Sequence, residues 1–309
     1  MRIHWENIDL DFRRPVVTTG MFDGVHRGHM SLIKAVISKA RSISGDSVLI
    51  TFEPHPRIVL SKEGMELKFL TGLEEKRDLL EKAGVDHLVV MPFTHEVSKI
   101  SACDFVKKIL VDKVIIHHLI MGFDHHFGHK GLGSHETILE CAAKYGFGVS
   151  RIEALTDKDV TISSTTIRNW LTTGMLKEAN DLLGYDYFLK GKVVQGKKLG
   201  SKMGYPTANI RPVYPYKLIP SEGVYAVEVL IESLKYKGML YIGSRPTLEG
   251  WGGEMTVEVN IFDLGDDLYG RDLTIIFKHR LRGDMKFDNT ESLYRQIEND
   301  KEDTLRLLP

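Results

Sequence analysis

PVVTTGMFDGVHRGH, residues 15–29, runs from a short apolar strand signal through a glycine-rich turn into the start of an amphipathic stretch. Residues 16–19 read as a strand, and residues 28–44 carry the apolar spacing of a helix. A strand that turns directly into a helix is the first half of a βαβ unit. The alternation recurs downstream. Strand-like runs fall at 48–52, 87–91 and 114–121, and helix-like stretches at 73–83, 103–110 and 134–144. This pattern predicts an α/β unit with a doubly wound, mostly parallel, Rossmann-like sheet whose ligands bind beyond the carboxyl ends of the strands. The segment GMFDGVHRGH occupies one of those ends.

Two further helix-like pieces, 164–172 and 176–183, are separated by Gly174. After Gly184 the texture changes to short alternating runs: YFLKGKVVQ, GVYAVEVLIE, YKGMLYIG, MTVEVNIFDL and LTIIFKHRL. One amphipathic segment, 290–308, closes the chain. That is an all-β pattern, read as a small barrel followed by a C-terminal helix. The expected domains are therefore residues 1–184 and 185–309.

A chain of 309 residues suits two domains. With 42% hydrophobic residues, 27% charged residues and a formal net charge of −1, it offers no electrostatic case for a nucleic-acid partner. Cys103 and Cys141 form no CxxC and read as reduced thiols of a cytosolic protein. The N-terminus lacks the apolar core of a signal peptide, and the apolar runs are too short to span a bilayer. The expectation is a cytoplasmic enzyme with neither a nucleic-acid nor a membrane partner. Its oligomeric state is not indicated.

Within the first motif, His26 and His29 are expected on the first turn of the helix, on one face. A helix N-terminus supplies unpaired N–H groups and partial positive charge, which suits a phosphate. The imidazoles add directional donors, and Gly28 permits close approach. The plainer reading is a glycine-rich turn with two surface histidines. ISSTTIRNWL, residues 162–171, reads as a helix start followed by Arg168. Alone it is a cap and a surface arginine. Paired with HxGH it provides hydroxyls, amides and a guanidinium for a triphosphate. The pair resembles the HxGH nucleotidyltransferase superfamily.

A second glycine- and lysine-rich loop, residues 196–204, leads into YPTAN. GKVVQGKK nearly matches a Walker loop but lacks the terminal Ser or Thr, and its interior reads as strand. Thr207 and Asn209 are two apart in extended backbone and face one side, where their oxygens suit Mg²⁺. The alternative is an ordinary hairpin connection. In MTVEVNIFDL, Val257, Val259 and Ile261 share one face, and Thr256, Glu258 and Asn260 share the other. Glu258 is either a solvent-facing carboxylate or a general base for a hydroxyl nucleophile.

Taken together, GMFDGVHRGH, TFEPHPRIVL, MGFDHHFG, ISSTTIR, GKKLGSKMGYPTANI, PSEGVYAVEV, YIGSRPT, VEVNIFDLGDDLYG and LRGDMKF resemble the prokaryotic bifunctional riboflavin kinase/FAD synthetase family over essentially the whole chain. The resemblance implies an N-terminal FMN adenylyltransferase domain of the nucleotidyltransferase type and a C-terminal six-stranded riboflavin kinase barrel. It implies conversion of riboflavin and ATP to FMN and ADP, then of FMN and ATP to FAD and pyrophosphate, with Mg²⁺. In the first domain, His26 and His29 would act on ATP phosphates. Gly20, Phe22, Asp23, Gly28, Ser164, Thr165 and Arg168 would complete the ATP site, and Pro54, Pro56 and Asp124 the flavin pocket. In the second, Gly196, Lys197, Gly200, Gly204 and Pro206 would hold ATP. Thr207 and Asn209 would take Mg²⁺, Glu258 would deprotonate the ribityl 5′-hydroxyl, and Arg282 would lie on the flavin side.

Some positions depart from the family pattern. Thr166 stands where arginine is common, His125 and His126 where Phe and Arg are commoner, and Asn260 where histidine is frequent. These departures imply altered affinity, chiefly in the adenylyltransferase. The cluster His125, His126, His129 and His135 lacks acidic or cysteine partners and is not read as a zinc site.

Overall fold

The computed structural model describes residues 1–5, 11–61, 67–123, 134–153, 155–157, 160–196, 205–244, 255–265 and 268–308. The chain divides into two compact units, Met1–Ser164 and Thr165–Pro309.

The first unit opens with β1 (Arg2–Trp5) and β2 (Val16–Thr19), then α1 (Arg27–Ser42), β3 (Ser47–Glu53) and α2 (Pro56–Leu60). It continues with α3 (Leu73–Lys82), β4 (His87–Pro92) and α4 (Ala102–Phe105), which runs on as a π-helical segment, Val106–Val111. β5 (His118–Met121), α5 (His135–Tyr145), β6 (Gly148–Arg151) and the short pair β7 (Thr156–Asp157) and β8 (Val160–Thr161) follow. The main sheet has six strands in the order β1-β4-β3-β2-β5-β6, and each pairing is parallel. Strand order reverses at β2, which lies between β3 and β5. Ligands of such sheets bind at that reversal, beyond the carboxyl ends.

Both faces of the sheet are covered, as a parallel sheet requires. Val16, Leu49, Leu88 and Val90 point to one side and pack with Ile33 and Val36 of α1 and Leu80 of α3. Val17, Val48, Ile50, Val89 and Leu119 point to the other and pack with Val106, Leu110, Ile138 and Ala142. Each such side chain contributes roughly 1.5–3 kcal/mol by leaving water. Cys103 on α4 and Cys141 on α5 are free thiols with their sulfurs 3.1 Å apart, and burial pushes the Cys141 thiol up to about 11.

The sequence reading missed both edge strands, β1 and β6, and began β5 at residue 114 instead of His118. β1 and β6 are four residues each and gain their hydrogen bonds only from β4 and β5. Residues 112–117 close the π-helical segment instead: Val114 N donates to Ile109 O and Ile116 N to Leu110 O.

α6 (Ser164–Thr172) begins at the last residue of the first unit, and α7 (Leu176–Leu183) follows. The barrel contains β9 (Phe188–Val194), β10 (Ala208–Pro212), β11 (Gly223–Ile231), β12 (Leu234–Ser244), β13 (Met255–Ile261) and β14 (Asp272–Arg282). It closes in the order β10-β13-β12-β11-β14-β9, antiparallel throughout. Closure leaves no sheet edge. Val227, Leu240, Ile242, Val259, Ile275 and Phe277 fill the interior and are fully buried. The C-terminal helix α8 (Thr290–Leu307) lies against β11, β12 and β14.

Candidate functional sites

β2 ends at the strand reversal, and the chain there turns sharply: Phe22, Gly24 and Val25 have φ of +49°, +81° and +37°. Gly20 N remains tied to Ile50 O at 2.9 Å. Asp23 is 6% exposed, and its Oδ1 accepts from Leu70 N at 2.8 Å and Thr71 N at 3.1 Å. Gly24 N in turn donates to Thr71 Oγ1 at 2.9 Å. The strained turn is thus held by the segment leading into α3.

His26 is not on the first turn of α1, as the spacing suggested, but is its N-cap, with Nδ1 accepting from His29 N at 3.3 Å. The two imidazoles stack at 3.7 Å, and Phe22 backs His29 edge-on at 5.6 Å. Gly28 makes room for this arrangement, because a Cβ there would meet the His26 ring at 3.2 Å and Ile162 O at 3.4 Å. The first turn of α1 carries no acidic residue, so its positive end is not neutralised from within the helix. Ser164 Oγ donates to Asp23 O at 2.9 Å, joining the start of α6 to the histidine turn. Thr165 and Arg168 follow on α6, where Arg168 Nη2 donates to Thr165 Oγ1 at 3.1 Å.

Pro54 follows a cis peptide bond at the end of β3, and Pro56 opens α2. Between them His55 caps α2 and lies against Phe69 at 4.2 Å. Asp124 falls outside the described residues, as do His125, His126, His129, Lys197, Gly200 and Gly204. Lys76, one turn into α3, was missed by the sequence reading and is 4% exposed. Burial pushes its ammonium below the ordinary lysine range, while Asp23 and Glu53 act in the opposite direction. A signal was present: Leu73, Lys76 and Leu80 share one helical face, so a lysine stands in an apolar stripe.

In the barrel, Thr207 Oγ1 donates to Glu258 Oε2 at 3.1 Å, and Asn209 pairs with Glu258 across β10 and β13. Glu258 is therefore not the free strand carboxylate that alternation favoured. Gly196 leaves the space that the Asn209 amide fills, since a Cβ there would lie 2.0 Å from Nδ2. Pro206 O accepts from Asn260 Nδ2 at 2.7 Å, so Asn260 anchors the PTAN segment to β13. A cavity of about 400 Å³ opens beside Thr207 and Asn209, with apolar walls from Val193, Val259, Ile261 and Leu268.

Tyr241 pairs with Glu258 across β12 and β13, and its hydroxyl donates to Asp284 Oδ1 at 3.1 Å. Burial and then Asp284 push that phenol up to about 12. Arg282 does not extend a free guanidinium: Nε and Nη2 grip Asp300 at 2.8–3.1 Å, and Nη1 donates to Gly283 O. No cluster of three metal-ligating His, Cys, Asp or Glu side chains occurs among the described residues. Thr207 and Asn209 nevertheless offer oxygen ligands of the kind hard cations prefer. Thr207 gives its proton to Glu258, which leaves its oxygen lone pairs available.

Residues 9–166 match the FAD synthetase family and residues 183–308 the riboflavin kinase family. The bifunctional riboflavin kinase/FMN adenylyltransferase of Listeria monocytogenes is 40% identical over 296 residues, 94% of this chain and 91% of that protein. The Bacillus subtilis protein of the same description is 34% identical, covering 95% and 92%, and that of Escherichia coli K12 is 33% identical, covering 93% and 90%. A crystal structure described as a macrolide-efflux protein from Streptococcus pneumoniae superposes with a TM-score of 0.86 at 31% identity, covering 94% of each chain. No described helix of the present chain is long and apolar enough to cross a membrane. With matches to both families in this order and full-length relatives at this identity, the chain belongs to the bifunctional riboflavin kinase/FMN adenylyltransferase family.

Proposed function

We propose that residues 185–309 phosphorylate riboflavin with ATP, and that residues 1–184 transfer the adenylyl group of a second ATP to the resulting FMN, releasing pyrophosphate. The observation that carries this reading is the contact between Thr207 and Glu258, which joins a cation-ligand candidate to a carboxylate in the part matched by the riboflavin kinase family.

In the kinase reaction, Glu258 takes the proton of the ribityl 5′-hydroxyl as that oxygen attacks the γ-phosphorus, the bond from that phosphorus to the β–γ bridging oxygen breaks, and ADP leaves. Thr207 and Asn209 would hold Mg²⁺, which when bound neutralises phosphate charge. Gly196 and Pro206 border the cavity proposed for ATP; Lys197, Gly200 and Gly204, proposed to hold ATP with them, lie outside the described residues. Phosphoryl transfer rests chiefly on positioning and electrostatics, so the base is one contributor among several. Arg282, committed to Asp300, would serve the flavin side by fixing the segment that begins at Gly283.

In the adenylyl transfer, the FMN phosphate attacks the α-phosphorus of ATP. The imidazoles of His26 and His29 and the amides opening α1 face the developing charge, and one such donor is worth roughly 3 kcal/mol. Gly20, Phe22, Asp23 and Gly28 shape the turn that presents them. Ser164, Thr165 and Arg168 would complete the ATP site, and Pro54, Pro56 and Asp124 the flavin side. The chemistry uses ATP and free flavins, needs neither nucleic acid nor membrane, and suits the cytoplasm.

The test is a time course with riboflavin, ATP and Mg²⁺, the flavins being resolved by chromatography. FMN rising and then giving way to FAD supports both assignments. FMN accumulating without FAD, under oxidising and reducing conditions alike, would remove the adenylyltransferase and direct attention to Thr166.

A further inference from the structure

We propose that Cys103 and Cys141 form a peroxide-oxidisable dithiol that closes into a disulfide joining α4 to α5. Cys103 is the thiol oxidised first, and Cys141 is the one that resolves it.

The two sulfurs are 3.1 Å apart, although the residues are 38 positions apart in the chain. A disulfide bond is about 2.05 Å long, so roughly 1 Å of further approach closes it. Packing holds the pair at this separation. Ser101 Oγ starts α4 by accepting from Asp104 N at 3.1 Å, and Ser134 Oγ starts α5 by accepting from Thr137 N at 3.3 Å. Ala102, Phe105 and Val106 beside Cys103, and Ile138 and Ala142 beside Cys141, belong to one buried cluster against the sheet. Turning either helix to part the sulfurs would break that cluster. The chain has only 2 cysteines, so each is the other's sole thiol partner within the molecule.

The pair is asymmetric. Cys103 is exposed, whereas Cys141 is 3% exposed and sits among apolar side chains. A dissolved oxidant therefore meets Cys103 first. A thiol buried in apolar surroundings stays protonated and is inert toward solutes. Burial keeps the Cys141 thiol in that form. Its place beside Cys103 is what suits it to the second step.

Hydrogen peroxide supplies the oxidising equivalents. The Cys103 sulfur attacks one peroxide oxygen: an S–O bond forms, the O–O bond breaks, and the other oxygen leaves with the thiol proton as water. The sulfur gives two electrons to the peroxide and becomes a sulfenic acid. Cys141 Sγ then attacks Cys103 Sγ. The S–S bond forms, the S–OH bond breaks, and the hydroxide departs with the Cys141 proton as a second water. Closure keeps Cys103 from reaching the irreversible sulfinic acid, and a thiol reductant restores both groups. The ring so closed, residues 103–141, encloses β5, the neighbour of β2 in the sheet.

The experiment treats the reduced full-length protein with hydrogen peroxide and removes the excess with catalase. Free thiols are then counted in denaturant, and peptides are mapped by mass without reduction. The count is expected to fall from 2 to none as a peptide pair linked through Cys103 and Cys141 appears. Dithiothreitol should return both thiols. Cys141→Ala should instead give a sulfenic acid at Cys103, trapped by dimedone, which goes on to sulfinic acid. Cys103→Ser should keep its Cys141 thiol through the same exposure.

Two thiols remaining in the wild type, or a covalent dimer in place of the internal link, would overturn the proposal. So would sulfinic acid forming at Cys103 as readily in the wild type as in Cys141→Ala. Loss of the Cys141 thiol in Cys103→Ser at the wild-type rate would do the same, because it removes the assigned order. Should Cys141→Ala fail to fold, the other two proteins decide: the linked peptides must form in the wild type, and the Cys141 thiol must persist in Cys103→Ser.

Discussion

Thr207, the residue before β10, and Glu258 of β13, 51 residues apart in the chain, meet with the threonine hydroxyl donating to Glu258 Oε2 at 3.1 Å. The bond ties the carboxylate to the segment on which Asn209, its partner across β10 and β13, also stands. Under the proposed roles, that contact would link cation binding at Thr207 to the state of the carboxylate. Glu258→Gln keeps the shape and removes the proton acceptor. It is expected to slow FMN formation by about 10²–10⁴-fold, the usual range for a general base. FAD formation from FMN should be unaffected, and a parallel assay of the two reactions checks both statements.

Gly196→Ala tests the close approach beneath Asn209. The added methyl would lie 2.0 Å from Nδ2, and an amide at the end of a side chain yields more readily than backbone. Stability should therefore change by less than about 1 kcal/mol, the scale of a tolerated small substitution. Riboflavin phosphorylation should nevertheless fall, with a raised KM for ATP, because Asn209 is displaced. Thermal unfolding beside kinase kinetics reads the two effects separately.

Asp300→Ala leaves the Arg282 guanidinium without its carboxylate. The two side chains are 18% and 5% exposed, and breaking a buried pair from one side costs about 3–5 kcal/mol. Chemical denaturation should show that loss. Phosphorylation of riboflavin should weaken with it if the segment after Arg282 serves the flavin.

Acid should destabilise the fold through three histidines. His4 Nε2 and His87 Nδ1 share a hydrogen bond of 2.9 Å, and His118 Nε2 meets Ser150 Oγ at 2.8 Å. Burial is the largest influence on each and lowers all three below the ordinary 6.5. Asp46 and Asp86 oppose this at His87. A histidine with a depressed folded pKa contributes stability that is present above its unfolded value and lost as pH falls through its folded one. Denaturant midpoints should hold steady above pH ~6.5 and decline below it. A flat profile from pH ~7.5 to ~5.5 would contradict the assignment.

Much of this site was legible before the fold. GMFDGVHRGH announced a strand, a turn and a helix start, because glycine density and apolar spacing are local properties. Glu258 was readable as a strand position, with its role left open between a solvent-facing carboxylate and a base. Alternation along β13 shows only that it opposes the barrel interior, and the threonine that binds it comes from the segment leading into β10. Lys76 was less legible still. EEKRDLLEK has the composition of an exposed helix, and only the place of Lys76 on the face of Leu73 and Leu80 hinted that its side chain is buried. Arg282 was assigned to the flavin side by resemblance alone, and its pairing with Asp300 was not readable because Asp300 lies on α8, a different element.

By itself, then, the sequence determined the central strands and long helices (but not the edge strands β1 and β6), the change from α/β to all-β texture and the likeness to a two-activity family. These follow from backbone preference and from the spacing of apolar side chains over a few residues. Tertiary structure alone decided that β2 stands at the strand reversal, that β9 closes the barrel on β14, and that His26 caps a helix while stacking on His29. It also decided which charges are buried and which partners they meet. Burial and pairing depend on side chains brought from distant parts of the chain, and no local window of sequence contains them.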